Sequence, residues 1–360
     1  LDRLTPVKEV AQIGAVIGRE FPHRLLAAVS PLRDNELQDA VGQLVESELI
    51  FRRGAAPEAT YTFKHALVQD AAYESLLRSK RQELHQRIAE ALIDRFPETE
   101  LSEPELLARH YDLADDADEA VKYFELAGRK ASATSAFAEA ISHFQTALDQ
   151  LPKLTAQHDG VREQIEFRLR AALGVPLKAV KGYAPKEVED NYLRAQSVAD
   201  DEADSETYFA VLRGLWNCYF DRGDMSRAGD LATQLVDLAE QTASSALLAL
   251  SYRAVGCVEL MQGRIASADP AFENCLAACD NIQGRFDLQT FGEDPGLIST
   301  LYQGWTKTIR GFIDQGLARA DDGVRAACAT GHPNSIAFAR STRLWNLIWR
   351  GDATRLLGTV

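Results

Sequence analysis

The chain has 360 residues, 46% of them hydrophobic and 26% charged, which is the balance of a folded globular protein too long for one small core. Acidic side chains outnumber basic ones 53 to 39, and the net charge of −14 sets up a field that repels nucleic acid and anionic membrane surfaces. No apolar run approaches the roughly 20 residues of a membrane span, and no basic-then-apolar leader is present, so we expect a cytoplasmic protein without a membrane partner.

The five cysteines, Cys218, Cys257, Cys275, Cys279 and Cys328, are odd in number and lack any C-x-x-C pair. That pattern argues against a disulfide framework and for a reducing compartment. Cys275 and Cys279 share one helix face at a spacing of four and read as small core residues, because a metal site wants more ligands close by. The chain opens on Leu1 instead of Met, so we expect a piece of a longer protein whose chemistry can lie elsewhere.

Residues 1–96 hold 13 Lys/Arg and 14 Asp/Glu, while 97–360 hold 26 and 39, so the acidity belongs to the second region. Pro6 opens a helical apolar pattern through Val10, Ile13 and Val16. Phe21-Pro22 then starts a short helix through Leu25, Leu26 and Val29. Asp34 is placed to cap a third helix with Leu37, Val41, Leu44 and Val45 inward. Leu49–Phe51 and Tyr61–Phe63 are strand-like on either side of the turn-rich Arg53–Pro57. Three helices and a two-stranded hairpin predict a winged-helix domain over 1–80, with further helices at 66–77 and 80–95. Its third helix carries Asp34, Glu36, Asp39, Glu46 and Glu48 and no basic residue between Asn35 and Ile50. Five carboxylates facing phosphates disfavour DNA reading, so no nucleic-acid partner is expected.

From residue 81 to 360 the pattern is helical throughout, and a Gly followed five positions later by a small residue recurs at Gly223/Ala228, Gly263/Ala268 and Gly311/Gly316. A fourth turn glycine is Gly351. A helical hairpin needs such a Gly to reverse the chain, and the next helix needs a small residue where two helices cross closely. The pattern resembles the tetratricopeptide repeat. Leu107, Ala108, Tyr111, Ala120, Phe124 and Ala127 match its interior positions, and Ala140, Phe144, Ala147 and Pro152 match a closing half. Leu215, Tyr219, Gly223 and Ala228 form another copy, in which Trp216 replaces the small residue. Gly256, Gly263, Ala268 and Phe272 form one more, with Cys275 in the last small position. The 20-residue offset between Ala120 and Ala140 makes one helix serve two overlapping hairpins. The fold class expected is therefore mainly α: a winged-helix unit with a small hairpin, then a tetratricopeptide-like solenoid. The stretch 153–205 fits the repeat poorly, with a turn at Lys181–Pro185 and a helix whose Val188, Tyr192 and Ala195 point inward. The connection 281–296 is longer than a repeat needs. It is either a binding loop or a spacer packing Phe286 and Phe291.

No G-x-x-x-x-G-K-[ST], H-E-x-x-H, G-x-S-x-G or G-x-G-x-x-G sequence occurs, and the seven histidines are scattered. Gly14–Arg19 is glycine-rich but lacks the phosphate-loop lysine, and reads as a packing contact. No catalytic residue, metal or cofactor is expected in this chain, which argues against a free-standing enzyme.

Tyr61–Leu77, continuing into Arg81–Ala89, resembles the junction after the nucleotide-binding domain of bacterial signal-transduction ATPases with numerous domains. It is especially similar to multidomain proteins that join a class III adenylate/guanylate cyclase domain, such an ATPase and C-terminal tetratricopeptide repeats. Leu1–Leu4, Val16–Phe21, Gly182–Val188, Leu212–Trp216 and Gly292–Gly296 resemble other parts of the same proteins, so the likeness runs along nearly the whole chain. The resemblance implies a partner domain upstream that binds ATP or ADP, and a histidine, His65 here, near the bound ADP phosphates. An imidazole can donate to a phosphate oxygen; read from the residues alone, His65 is equally a histidine packed against the wing. The groove would receive a protein, a peptide or a small effector. Outward positions on the first helix of each hairpin, Arg213, Asn217, Arg253 and Lys307, are the candidate contacts. The alternative is the tetratricopeptide and winged-helix region of a transcription regulator.

Overall fold

The computed structural model describes residues 5–155, 159–200, 203–282 and 294–351. Packing divides the chain into two compact units, Leu1–Pro176 and Leu177–Val360. The division falls inside a helix, so the first unit holds helical hairpins as well as the sheet. Both units are mainly helical.

The first unit begins with α1 (Thr5–Ile17), β1 (Glu20–Pro22), α2 (His23–Val29), α3 (Asp34–Glu46), β2 (Ile50–Arg53) and β3 (Thr60–Phe63). The sheet has three antiparallel strands in the order β1-β3-β2, with Phe21 opposite Tyr61 and Phe51 opposite Thr62. This corrects the sequence reading of a two-stranded hairpin. Phe21-Pro22 does not start α2 but forms the edge strand, and a three-residue strand is too short to show a period of two. The ring of Phe21 lies 5.5 Å from those of both Tyr61 and Phe63, and all three side chains are buried. Gly14 is the packing contact its sequence suggested, since a Cβ there would sit 2.7 Å from the Phe21 ring. Asp34 is the first helical residue of α3 and not its cap. The N-terminus is closed by Glu36, whose carboxylate accepts from the Arg33 backbone N–H at 3.1 Å.

After the sheet come α4 (Ala66–Glu74), α5 (Arg78–Arg95), α6 (Glu98–Ser102), α7 (Pro104–Ala114), α8 (Ala117–Ala133), α9 (Phe137–Gln150) and α10 (Asp159–Lys181). The second unit follows with α11 (Lys186–Val198), α12 (Ser205–Asp221), α13 (Met225–Thr242), α14 (Ser245–Met261) and α15 (Ile265–Asp280). It continues with α16 (Pro295–Ile309), α17 (Ile313–Thr330) and α18 (Pro333–Arg350). Val188, Tyr192 and Ala195 are buried on α11 as expected. Asp294-Pro295-Gly296 starts α16, with the Asp294 carboxylate accepting from the Leu297 N–H at 3.0 Å. Phe286 and Phe291 lie outside the described residues.

One turn recurs in both units. Asp115, Ser135, Gly223, Gly263 and Gly311 all have φ between 62° and 91°. In each case the next residue's N–H returns to the carbonyl five residues earlier, at 2.8–3.0 Å, as in Asp224 to Tyr219 and Ala136 to Ala131. Five positions after each turn residue stands a buried small residue: Ala120, Ala140, Ala228, Ala268 or Gly316. The facing helices also come close through glycines. A Cβ on Gly128, Gly214 or Gly256 would lie 2.7, 2.3 or 2.4 Å from the ring of Phe144, Tyr192 or Phe272. The result is a tetratricopeptide-like stack in which α8 packs against both α7 and α9. Gly351 closes α18 in the left-handed region, as Gly331 closes α17.

The ring contact makes a stability contrast testable. Gly256→Ala pushes a methyl into the buried Phe272 ring and is expected to destabilise by about 1–3 kcal/mol. Gly229→Ala, whose nearest neighbour is 3.6 Å away, is expected to stabilise by about 0.5–1 kcal/mol through helix propensity. Urea unfolding of the two variants beside the wild type reads both signs.

Candidate functional site

Four helices of the second unit, α12, α14, α16 and α18, wall a cavity of about 400 Å³. Each contributes residues about one turn apart: Trp216, Asn217 and Phe220; Arg253 and Cys257; Ile298 and Tyr302; Asn334 and Phe338. That spacing puts a stripe of each helix on one face, with the hairpin turns fixing which face it is.

Arg253 and Trp216 are 4% and 1% exposed, so this guanidinium is held below the surface. Its Cζ lies 4.7 Å from the Trp216 ring centroid, and Trp216 in turn stacks on Phe220 at 4.7 Å with 18° between planes. A desolvated cation over an indole face is favoured by about 2 kcal/mol, which offsets part of the cost of burying the charge. Tyr302 also lines the cavity, and its ring contacts those of Phe272, Trp305 and Phe338 at 5.0–6.3 Å. Polar groups stand at the edge. The His332 Nδ1 accepts from the Ser335 backbone N–H at 3.3 Å, which leaves the ring proton of neutral His332 on Nε2. Burial pushes the Asp221 carboxyl above the usual carboxylate range. An aromatic pocket of this size with a few polar groups suits a small molecule or one or two side chains of a peptide.

Of the residues expected to contact a partner, the structure brings Asn217 and Arg253 to this cavity. Arg213 is buried one turn before Asn217 and is not on the cavity wall, while Lys307 is half-buried in the last turn of α16, also away from it. The aromatic residues Trp216, Phe220, Tyr302 and Phe338 were missed by sequence reasoning. The sign that was present is Trp216 itself, a large ring where the repeat has a small residue.

In the first unit His65 directly precedes α4, and its carbonyl accepts from the Val68 N–H at 3.0 Å. Its side chain is exposed and makes no capping bond, so it is not packed against the wing. Leu67, two residues on in the first turn, is 79% exposed, and α4 has no fully buried residue. From α4 a hydrogen-bonded chain that sequence reasoning also missed runs inward to two buried histidines. Tyr73 Oη is 3.1 Å from His85 Nε2, and His85 Nδ1 is 2.9 Å from His110 Nδ1. Burial is the main cause that lowers His85 to about 4, with Arg109 and Arg81 adding to it. Burial likewise lowers His110 to about 3, helped by His85 and Arg109. A neutral pair fits this geometry, one ring donating from Nδ1 and the other accepting.

No known protein family model matches the chain. A protein of Rhizobium meliloti (strain 1021), R02095, itself uncharacterized, is 25% identical over 367 residues, covering 99% of this chain and 34% of its own length. The chain thus spans about a third of that curated relative. Among solved structures, apo RapI aligns with a TM-score of 0.50 at 11% identity, over 78% of this chain and 80% of its own. A signal transduction ATPase with numerous domains from Pyrococcus horikoshii, with a tetratricopeptide repeat sensor, aligns with a TM-score of 0.47 at 12% identity, over 96% of this chain and 60% of its own. At such identities the likeness to RapI is one of fold alone.

The histidine pair predicts a pH dependence of stability. Both folded values lie below the ordinary 6.5, so the unfolded chain takes up protons first as pH falls. The stabilisation is present above pH 6.5 and is lost progressively toward pH 4, by on the order of 3 kcal/mol for His85. Urea midpoints measured between pH 7.5 and 4.5 are expected to fall more steeply in the wild type than in a His85→Asn/His110→Gln variant.

Proposed function

We propose that this chain is the regulatory and partner-binding region of a multidomain signal-transduction ATPase, with the aromatic cavity as its effector site. The observation that carries the reading is the convergence of four helices on one pocket holding Asn217, Trp216, Arg253 and Phe338. The effector is a peptide segment, a protein side-chain cluster or a small molecule that presents an apolar group to the ring wall. Lys307 and Arg213 lie outside its first contacts. The N-terminal three helices and sheet act as a winged helix that reports the state of a nucleotide-binding domain upstream. ATP and ADP are bound there, and His65 touches the ADP phosphates. The reading rests on the sequence of Tyr61–Leu77 and on the exposure of His65 and Leu67 on one end of α4. The region carries no catalysis of its own, works in the cytoplasm, and sets the activity of an output domain such as an adenylate cyclase.

A DNA-binding role for the same helices is less well supported. Asp34, Glu36, Asp39, Glu46 and Glu48 are all exposed on or just after α3, where a reading helix would face phosphates.

Two measurements test the two halves separately. In the protein carrying its nucleotide-binding domain, His65→Ala is expected to weaken ADP about 10-fold or more while sparing ATP, the loss of one hydrogen bond to a charged group. Equal affinities for both nucleotides in the variant and the wild type overturn the sensor role. For the cavity, binders selected from a displayed peptide library are expected to lose about 10-fold or more on Phe338→Glu and to keep their affinity on Lys307→Ala. Binders indifferent to Phe338→Glu place the effector elsewhere.

A further inference from the structure

An exposed aromatic stripe runs on from the cavity along α18. Phe338, Trp345 and Trp349 follow one another at spacings of seven and four, which puts them within about 20° of one line down the helix. They are 39%, 48% and 43% exposed. Trp305 of α16 joins them, its ring 6.5 Å from that of Trp345 and 5.6 Å from that of Trp349. The two α18 indoles are themselves 6.2 Å apart. The Trp305 indole N–H donates to the Thr342 carbonyl at 2.9 Å, which ties the cluster to both helices. Phe338 stands on the cavity wall, and the helix carries Trp349 about 16 Å beyond it.

The cavity itself is acidic. Asp221 and Asp294 line it against a single Lys or Arg side chain, Arg253, whose guanidinium is already stacked on Trp216. The Asp294 carboxylate is engaged by the Leu297 N–H. That of Asp221 meets no hydrogen bond or ion pair among the described residues. Asp221 is also the last residue of α12, where the helix dipole adds negative potential. A second cation is therefore favoured beside it, and the rings of Phe220 and Phe338 line the same space.

We propose that the cavity and the tryptophan stripe form one docking surface for a linear peptide segment. A Lys or Arg side chain of the segment enters the cavity against Asp221, and a bulky apolar side chain lies on Trp345 and Trp349. The inference rests on the cavity being the effector site and names what occupies it. Trp345 and Trp349 do not line the cavity, so a small molecule that fills it leaves both bare. An extended segment covers the 16 Å in about five residues at roughly 3.3 Å each. The long stem of Lys or Arg lies along the rings while its charge reaches the carboxylate. The net charge of −14 draws a basic segment toward the chain before contact is made.

Random dodecapeptides displayed on phage and panned on the chain test the surface. The recovered sequences are expected to share a Lys or Arg with a Trp, Phe, Leu or Ile about three to five positions away. Labelled synthetic copies, titrated by fluorescence anisotropy, are expected to lose about 10-fold or more on Asp221→Asn, and likewise on Trp345→Ala/Trp349→Ala. Replacing the basic residue of the peptide by Gln should weaken binding to the wild type by the same factor and to Asp221→Asn no further. A misfolded variant does not give that coupling. Peptides that weaken on Phe338→Glu but keep their affinity on either of the other two variants overturn the two-part surface and leave the cavity reading standing. Peptides indifferent to Phe338→Glu as well overturn both, and a library that yields no binder rules out a peptide as the occupant.

Discussion

A helical hairpin needs its reversal to be short and its two helices to cross at contact distance, and in this chain one local geometry supplies both. A residue in the left-handed region ends the first helix, and its successor's N–H returns to the carbonyl five residues back. This satisfies carbonyls the helix end leaves open and aims the chain backward. The second helix then begins at a fixed phase, so the residue five positions after the turn always meets the first helix. Only Ala or Gly fits there. From that phase follows the close crossing of the two helices, as where Gly316 of α17 meets Gly304 and Thr308 of α16.

Three of the five turns were legible because Gly223, Gly263 and Gly311 announce themselves. Asp115 and Ser135 adopt the same backbone without doing so. Asp tolerates the left-handed region better than most residues, while Ser135 is held there by the packing of α8 on α9. The short strand β1 was hidden for a different reason. Its strand character comes from pairing with β3, some 40 residues away, and not from any pattern in Glu-Phe-Pro. The cap of α3 misled in the same way: both Asp34 and Glu36 are residues that favour a helix start, and the sequence does not say which of them closes it.

The cavity was half legible. Periodicity places Asn217 and Arg253 on the outward stripe of their helices, but it places Arg213 and Lys307 there as well. What separates them is depth, and depth depends on how four helices distant in sequence converge. Arg213 and Arg253 stand ten residues before equivalent turn glycines, Gly223 and Gly263, yet only Arg253 lies over the Trp216 ring. Trp216 occupies a position where the repeat has a small residue. A large ring cannot be accommodated against the second helix, so it turns to the groove and supplies the surface on which the guanidinium is stacked. A substitution that breaks the repeat rule is thus what builds the pocket.

The other end of the molecule shows how a surface can be presented without a groove. Helix α4 carries no fully buried residue, and side-chain bonds help to hold it: Gln69 to the Ala15 carbonyl, Gln12 to Ser75, and Tyr73 to the buried His85. An element fixed by polar contacts and half-buried apolar ones is among the least costly to displace. His65 and Leu67 sit at its free end, so a partner that gains contact there works against little resistance. The Tyr73–His85–His110 chain is the opposite kind of contact. It is buried at both histidines and uninterrupted from α4 to α7, so a displacement of α4 breaks a half-buried hydrogen bond to the core and is felt at the first hairpin. The same three residues that secure α4 are therefore the ones through which its movement would reach the repeats.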